Sequence, residues 1–370
     1  MPTKGSDGAV DPNFPAGLRI QPSSSNRPRP PPPTTTPDAS SHTVPSDGET
    51  PSWEVDTAQD IELYGIAGRI WEAAYLLARY LVPPSKAADS LEFDPPCSLF
   101  PVPGQAPLTI VELGSGAGYG SLHLARQLVR HADVMVEPPP RTRLVLTDLE
   151  NVVPLMERNV ERAGYKDATD ILDARVRSLA WGNQAHASSL IAEMQGNDGS
   201  SGNPITHILC SDLVYFPELL PPLLRSIISL SNPSNSDTKI EPSTSPGPQL
   251  VISYKIRSLT KEQPFWSALG SWFEFEAVDC RTAKGEWHRF GSEGADYGAS
   301  ADADQELFVF VGHRRPDTFD RLAPERDTEL MLGKRLRPGA EWDSYELETP
   351  ASGQDYFEWL LLSNMGAGLG

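Results

Sequence analysis

Residues 108–125 read LTIVELGSGAGYGSLHLA. LTIVEL (108–113) is a short apolar run closed by glycine, the pattern of a buried strand. Beyond the glycines, residues 119–131 place Leu122, Leu124, Ala125 and Leu128 on the inward side of a helix. A strand turning through glycine into a helix is the opening unit of a parallel α/β sheet. The chain repeats it downstream. RLVLT (143–147), a strand within 170–178, THILCSD (206–212) and QLVISY (249–254) are joined with helices expected at 151–163, 217–230 and 261–272. FEFEAVD (273–279) and ELFVFVGH (306–313) follow with no helix between them, which predicts an antiparallel hairpin at one edge. Upstream, Ile66, Ile70, Ala73, Ala74, Leu77 and Leu81 recur at helical spacing, predicting a helix over 61–81 that Pro83-Pro84 stops. The expected architecture is a doubly wound, mostly parallel sheet with helices on both faces.

The flanks differ in kind. Residues 1–52 are dominated by Pro, Ser, Thr, Gly and Asp, with RPRPPPPTTTP at 27–37, and are expected to form a disordered tail. Such a segment cannot bury enough apolar surface to offset the entropy of ordering it. Its PPPP run has the form of a polyproline II ligand, although an unstructured tail is the simpler reading. Order is expected from about Trp53, which makes 53–315 the folded domain. Residues 316–370 form an acidic extension with 11 Asp/Glu against 5 Lys/Arg, and its YFEWLLL (356–362) is apolar enough to dock on the body or on a partner.

Composition narrows the class. With 36 Pro in 370 residues and 39% hydrophobic residues, the chain is neither collagenous, nor a coiled coil, nor wholly disordered. Lys+Arg number 31 against 50 Asp+Glu, a formal charge of −19 that repels phosphate backbones. A nucleic-acid partner is therefore not expected, and a basic protein or peptide is. Cys97, Cys210 and Cys280 are scattered and form no C-x-x-C pair, as expected of reduced thiols in the cytosol or nucleus. The start MPTKGSDGAV carries no secretory signal, and no long apolar run predicts a membrane span. A soluble intracellular protein is expected.

The glycine loop, Glu112-Leu113-Gly114-Ser115-Gly116-Ala117-Gly118, lies where doubly wound sheets bind ligands and where glycine lets the backbone come close. A dinucleotide loop spaces its glycines G-x-G-x-x-G, and Tyr119 breaks that spacing. Glu112 would sit badly beside a pyrophosphate and well beside an ammonium group. S-adenosylmethionine has an amino group and no phosphate, so it fits both details. Asp148, at the tip of the second strand, can accept two hydrogen bonds from a ribose diol; the alternative is that it caps a helix beginning near Asn151. Ser211-Asp212-Leu213-Val214-Tyr215 ends the strand expected beside the first, so Asp212 and Tyr215 should face the same crevice. There a carboxylate can grip an incoming ammonium and a tyrosine can wall it in by cation–π contact. Trp71 and Trp181 remain open between core packing and the crevice. The chain has no Ser-His-Asp order, no H-E-x-x-H and no Cys/His cluster, so no metal is expected.

Taken together, these segments resemble the seven-β-strand protein-lysine methyltransferases. The likeness is carried by Gly68-Arg69-Ile70-Trp71-Glu72-Ala73-Ala74 with Leu77 and Tyr80-Leu81, by VELGSGAGYGSLHLA, TDLENVVPLMERNVE and LAWG (179–182), and by CSDLVYFPELLPPLLRSI and ISYKIRS (252–258). It spans about 61–312, and the loops after Gly196, Asn232 and Gly285 are longer than usual in the family. The resemblance implies a Rossmann-like seven-stranded class I methyltransferase with S-adenosylmethionine as cofactor. It implies cofactor contacts at Trp71, Gly114, Ser115, Gly116, Asp148, Trp181 and Ser211, the last standing where the family usually has Ala. Asp212 and Tyr215 would be the catalytic pair and Glu112 a further cofactor contact. TDLENVVPLMERNVE and YKIRS are most similar to fungal-type enzymes that methylate translation elongation factor 1-alpha, which makes that protein the candidate bearer of the exposed lysine. A monomer in the cytoplasm is expected, with the nucleus as the alternative compartment.

The chemistry sets the roles. A lysine of pKa about 10.4 needs about 4 kcal/mol to present its neutral amine near neutral pH. A carboxylate raises that pKa further, so Asp212 is expected to capture and orient the side chain. A sulfonium charge and exclusion of water act the other way, and alignment can supply roughly 7–11 kcal/mol. Two other functions fit the same residues less closely: methylation of a small amine, and a catalytically inactive cofactor-binding adaptor. A nicotinamide oxidoreductase fits least, because of the glycine spacing.

Overall fold

A computed structural model of the chain describes residues 13–14, 18–20, 58–84, 90–196, 202–232, 247–283, 285–292, 307–339, 344–350 and 357. The proline run at 27–37, Trp53, the stretch 233–246 and YFEWLLL apart from Phe357 lie outside these residues.

Two short helices open the fold, α1 (Ile61–Tyr64) and α2 (Glu72–Tyr80), followed by the small strand β1 (Glu92–Asp94). The alternating body begins with β2 (Thr109–Leu113), α3 (Tyr119–Asp133), β3 (Thr142–Asp148) and α4 (Val153–Arg162). It continues with β4 (Leu172–Ser178), α5 (Gln184–Met194), β5 (His207–Ser211), α6 (Leu220–Leu230), β6 (Gln249–Lys255) and α7 (Leu259–Trp272). Next come β7 (Phe273–Ala277), β8 (Asp279–Arg281), β9 (His288–Arg289) and β10 (Leu307–Arg314). The last elements are α8 (Asp327–Met331), β11 (Arg335–Pro338) and β12 (Tyr345–Glu348).

The main sheet has seven strands in the order β4-β3-β2-β5-β6-β10-β7. β2 pairs in parallel with both β3 and β5, and β10 runs antiparallel to both β6 and β7. The expected antiparallel edge is therefore present, with the reversed strand slotted between β6 and β7. Chain order departs from β2 in opposite directions, through β3 and β4 on one side and β5 and β6 on the other, leaving a crevice at the strand ends between β2 and β5.

Every residue of β2 is buried, and its alternation divides the core. Val111 and Leu113 join Val145, Ile208 and Cys210 beneath α5, α6 and α7, while Ile110 joins Leu144 and Leu209 beneath α2, α3 and α4. Glu112 shares the parity of Ile110, which directs its carboxylate under the start of α3, where a Cβ added at Gly120 would lie 2.7 Å from Glu112 Oε1.

Several expectations need correction. The helix expected over 61–81 is two helices. Gly65, at φ 52, ends α1 with its N–H on the Ile61 carbonyl, and Trp71 then stands at the N-cap of α2. Between Ser178 and His207 lies α5, which was not anticipated; Asn183 Oδ1 accepts the His186 N–H at its start. Its buried residues, Ala187, Leu190 and Met194, make a narrow stripe, too sparse to stand out as an amphipathic pattern. The segment 273–279 leaves the main sheet after Ala277, and β8 pairs with β1 and β9 in a separate three-stranded sheet.

The acidic extension has structure of its own. β11 and β12 pair antiparallel, and Phe357 is buried with its ring stacked on Trp266, centroids 5.0 Å apart. Buried Arg314 donates to the carbonyls of Ile228 and Thr318 at 2.9 and 2.8 Å, and Arg335 pairs with Asp317 at 2.7 Å. Burial and the nearby Arg335 charge lower the Arg314 guanidinium to about 10.

Candidate active site

All the residues singled out from the sequence, Trp71, Glu112, Gly114, Ser115, Gly116, Asp148, Trp181, Ser211, Asp212 and Tyr215, line one cavity of about 230 Å³ at the carboxyl ends of β2, β3 and β5. Parallel pairing explains the convergence. Strands in register end at one level, so the residues following each strand share an edge.

The glycine loop is tied down by Asp148. Its Oδ2 accepts the Gly116 N–H at 2.8 Å and its Oδ1 accepts the Leu149 N–H at 2.7 Å. Gly116 has φ 52, and a Cβ there would lie 2.6 Å from the Ala67 carbonyl, so no other residue fits the turn. The capping alternative for Asp148 does not hold, because α4 starts at Val153 with no side-chain cap. Burial pushes the Asp148 carboxyl up to about 6, against the pull of its two backbone donors.

Glu112 lies deeper. Burial pushes its carboxyl up to about 7, opposed by Ser121 and Ser115, and its Oε2 makes no hydrogen bond. The Ser211 hydroxyl, also on the cavity, is likewise buried without a partner.

Both open tryptophans go to the crevice and neither is fully buried. The Trp71 indole N–H donates to the Ile66 carbonyl at 3.1 Å, and the Arg69 guanidinium stacks 4.3 Å from its ring. Trp181 presses on the glycine loop, its Cζ2 lying 2.7 Å from where a Cβ of Gly114 would stand. Tyr215 is half-buried and edge-on to Phe216 at 4.9 Å; burial moves its phenol well above the ordinary range.

Asp212 differs from expectation. It is the one non-glycine residue with positive φ among the described residues, at φ 60. Its N–H donates to the Ser253 carbonyl at 2.9 Å, fastening it to β6. The carboxylate expected to grip an incoming ammonium is held by Arg257, with Nη1 and Nη2 donating to Oδ1 and Oδ2 at 2.8 and 2.6 Å. Arg257 follows β6 at the level where Asp212 follows β5, a proximity visible only once the two strands are known to be neighbours.

The sequence reading also missed Asn13 and Arg69, which line the cavity. Asn13 is buried, and its carbonyl accepts the Ile66 N–H at 2.8 Å, so part of the segment expected to be a free tail lies against the crevice. No pattern in residues 1–52 pointed to it. Among the described residues, no group of His, Cys, Asp and Glu is arranged to hold a metal ion, and no helix is long and apolar enough to cross a membrane.

Comparison with known proteins supplies the family. A family model described as lysine methyltransferase matches residues 50–271, more than half of the chain. The chain belongs to the lysine methyltransferase family. Its curated relatives include protein-lysine N-methyltransferase EFM6 of Saccharomyces cerevisiae, 25% identical over 197 residues, which cover 52% of this chain and 65% of the yeast protein. The match thus spans just under two thirds of that relative's length. Solved structures with partial likeness include an O-methyltransferase family 2 protein from Planctomyces limnophilus, with TM-score 0.30, 14% identity and coverage of 56% of this chain and 45% of that one. Another is MNMC2 from Aquifex aeolicus, with TM-score 0.29, 14% identity and coverage of 56% and 53%. The fold of this lysine methyltransferase family member is defined by its own strand order.

S-adenosylmethionine is the cofactor expected of the family, and the residues fit it. The partnerless Glu112 Oε2 and Ser211 hydroxyl are buried acceptor and donor groups that a bound polar ligand would satisfy.

Proposed function

We propose that this protein transfers a methyl group from S-adenosylmethionine to a lysine side chain of a protein substrate. The observation that carries the reading is the convergence of every residue singled out from sequence on one cavity at the switch point of the sheet. When bound, S-adenosylmethionine supplies a methyl group on a positively charged sulfur, open to displacement by an amine. In this reading Asp148 holds the ribose diol while its backbone bonds keep the glycine loop in shape. Glu112 takes the cofactor's ammonium, and Gly114, Ser115, Gly116, Ser211, Trp71 and Trp181 enclose the rest. Tyr215 walls the lysine channel, and Asp212 orients its mouth.

The catalytic domain in this reading is 53–315, flanked by the 1–52 segment, whose Asn13 reaches the crevice, and by the 316–370 extension. A formal charge of −19 supports a basic protein face as substrate and disfavours nucleic acid. Translation elongation factor 1-alpha is the candidate, on the likeness of TDLENVVPLMERNVE and YKIRS, with a monomer in the cytoplasm as the working form.

The test incubates the full chain with methyl-labelled S-adenosylmethionine, first with purified translation elongation factor 1-alpha and then with host lysate. Labelled lysine in one or few proteins, located by mass spectrometry, is the expected result. S-adenosylhomocysteine binding with no labelled protein would count against the reading. Asp212→Ala is expected to abolish transfer while leaving S-adenosylhomocysteine affinity within about tenfold, or 1.4 kcal/mol.

A further inference from the structure

Arg257 holds the Asp212 carboxylate beside the crevice. This inference rests on the methyl-transfer reading and deepens it. We infer that Arg257 is a positioning residue that stays paired with Asp212 during the reaction, so that the crevice receives the substrate lysine as a neutral amine rather than as ammonium.

The pair is built to persist. Both terminal guanidinium nitrogens reach Asp212, whose side chain is 0% exposed, while that of Arg257 is 27% exposed. Arg257 is also gripped through its backbone. Its N–H donates to Glu262 Oε2 at 3.2 Å, and the same carboxylate accepts from Ser258 N–H at 3.1 Å and from the Tyr254 hydroxyl at 2.5 Å. Nη1 donates further to the Lys255 carbonyl at 3.1 Å.

The charges in contact with the pair are matched. Glu72, from the start of α2, lies 4.0 Å from the guanidinium, but it is already engaged by Arg69 at 2.6 Å and Lys255 at 3.7 Å. Around the pair, Asp212, Glu72 and Glu262 are thus matched in number by Arg257, Arg69 and Lys255. The remaining titratable neighbours are Tyr215 and Tyr254, neutral phenols whose ionisation burial suppresses, and two carboxyls of the same cavity. Asp148 acts on Tyr215 from the end of β3 and is held by the Gly116 and Leu149 N–H groups, and Glu112 on β2 takes the cofactor's ammonium in the proposed site.

An arriving ammonium would therefore add an unmatched positive charge beside a fixed guanidinium, whereas a neutral amine would not. A neighbouring cation lowers an amine's pKa, and methyl transfer needs the nitrogen lone pair. Exchange of the lysine for Arg257 is disfavoured by geometry. A bidentate fork would be traded for a point charge, and the freed guanidinium would have to share Glu72 with two cations.

The experiment loads the full chain with S-adenosylhomocysteine and titrates it with n-butylamine, a lysine side chain without its backbone, between pH 7 and 9. Below the amine pKa of about 10.4, the neutral fraction grows tenfold per pH unit. The expected result is an apparent affinity for total amine that rises about tenfold per unit in the wild type and in Arg257→Lys. Arg257→Gln is expected to bind at pH 7 already and to lose most of that slope. A wild-type affinity that is flat or falls with pH overturns the inference, as does no amine binding at any pH. A crystal of the wild type with n-butylamine decides the matter even if the Gln variant does not fold. Arg257 still on Asp212 supports the inference, and Arg257 displaced from it overturns it. Absence of S-adenosylhomocysteine binding to the wild type would instead bring down the methyl-transfer reading itself.

Discussion

Glu112 and Asp148 are buried acids on a cavity wall, and their protonation reports on whatever binds there. Burial lifts Glu112 to about 7, above the ordinary value near 4.5. Between those values the folded protein holds a proton that the unfolded chain has released, so Glu112 makes stability fall as pH rises through that window. The difference in unfolding free energy between wild type and Glu112→Gln, measured by urea denaturation without cofactor, should change by roughly 3 kcal/mol across the window. A pH-independent difference would show that Glu112 is not protonated in the fold. S-adenosylhomocysteine carries an ammonium group that favours the Glu112 carboxylate, so its binding near pH 7 should release a proton. Calorimetry in buffers of different ionisation enthalpy should then give different apparent heats. Asp148 is held by the Gly116 and Leu149 N–H groups and, in the proposed site, has acceptor capacity left for a ribose diol. Asp148→Ala is expected to weaken S-adenosylhomocysteine at least about tenfold, or 1.4 kcal/mol, through both the diol and the loosened loop. Unchanged affinity would refute the ribose role.

Elements are legible where burial is complete or nearly so. β2, with every residue buried, was read from its own composition, as were β3, β5 and β6. α5 was not, because only Ala187, Leu190 and Met194 of its residues are buried and the rest resembles a polar linker. Its definition depends on a cap: Asn183 Oδ1 accepts the His186 N–H at 3.1 Å, so Asn183→Ala should cost about 1 kcal/mol in urea unfolding while leaving cofactor affinity unchanged. The break between α1 and α2 was hidden for the opposite reason. Apolar spacing continues across Gly65 and Gly68, and only the local backbone shows that Trp71 begins a new helix at the cavity wall.

For the molecule as a whole, the acidic extension is part of the folded body at the points described. Phe357 reaches back to the aromatic cluster of Tyr254, Trp266 and Phe310, and Tyr254 lies on β6, the strand that leads to Arg257. Phe357→Ala should lower stability by about 3–5 kcal/mol, measured by denaturant unfolding, whereas S-adenosylhomocysteine affinity should stay within tenfold. Equal stability of wild type and variant would mean that the ring is not held there in solution. The chain by itself determined the alternating sheet, the antiparallel edge and ten of the residues that line the cavity, because buried strands, glycine turns and strand-end acids each leave a local pattern. Only tertiary structure decided that Arg257 occupies Asp212, that Asn13 lies on the crevice, and that Phe357 completes a core. Those are contacts between segments far apart in the chain, made where parallel strands and returning ends happen to meet, and the spacing within one segment carries no information about such meetings.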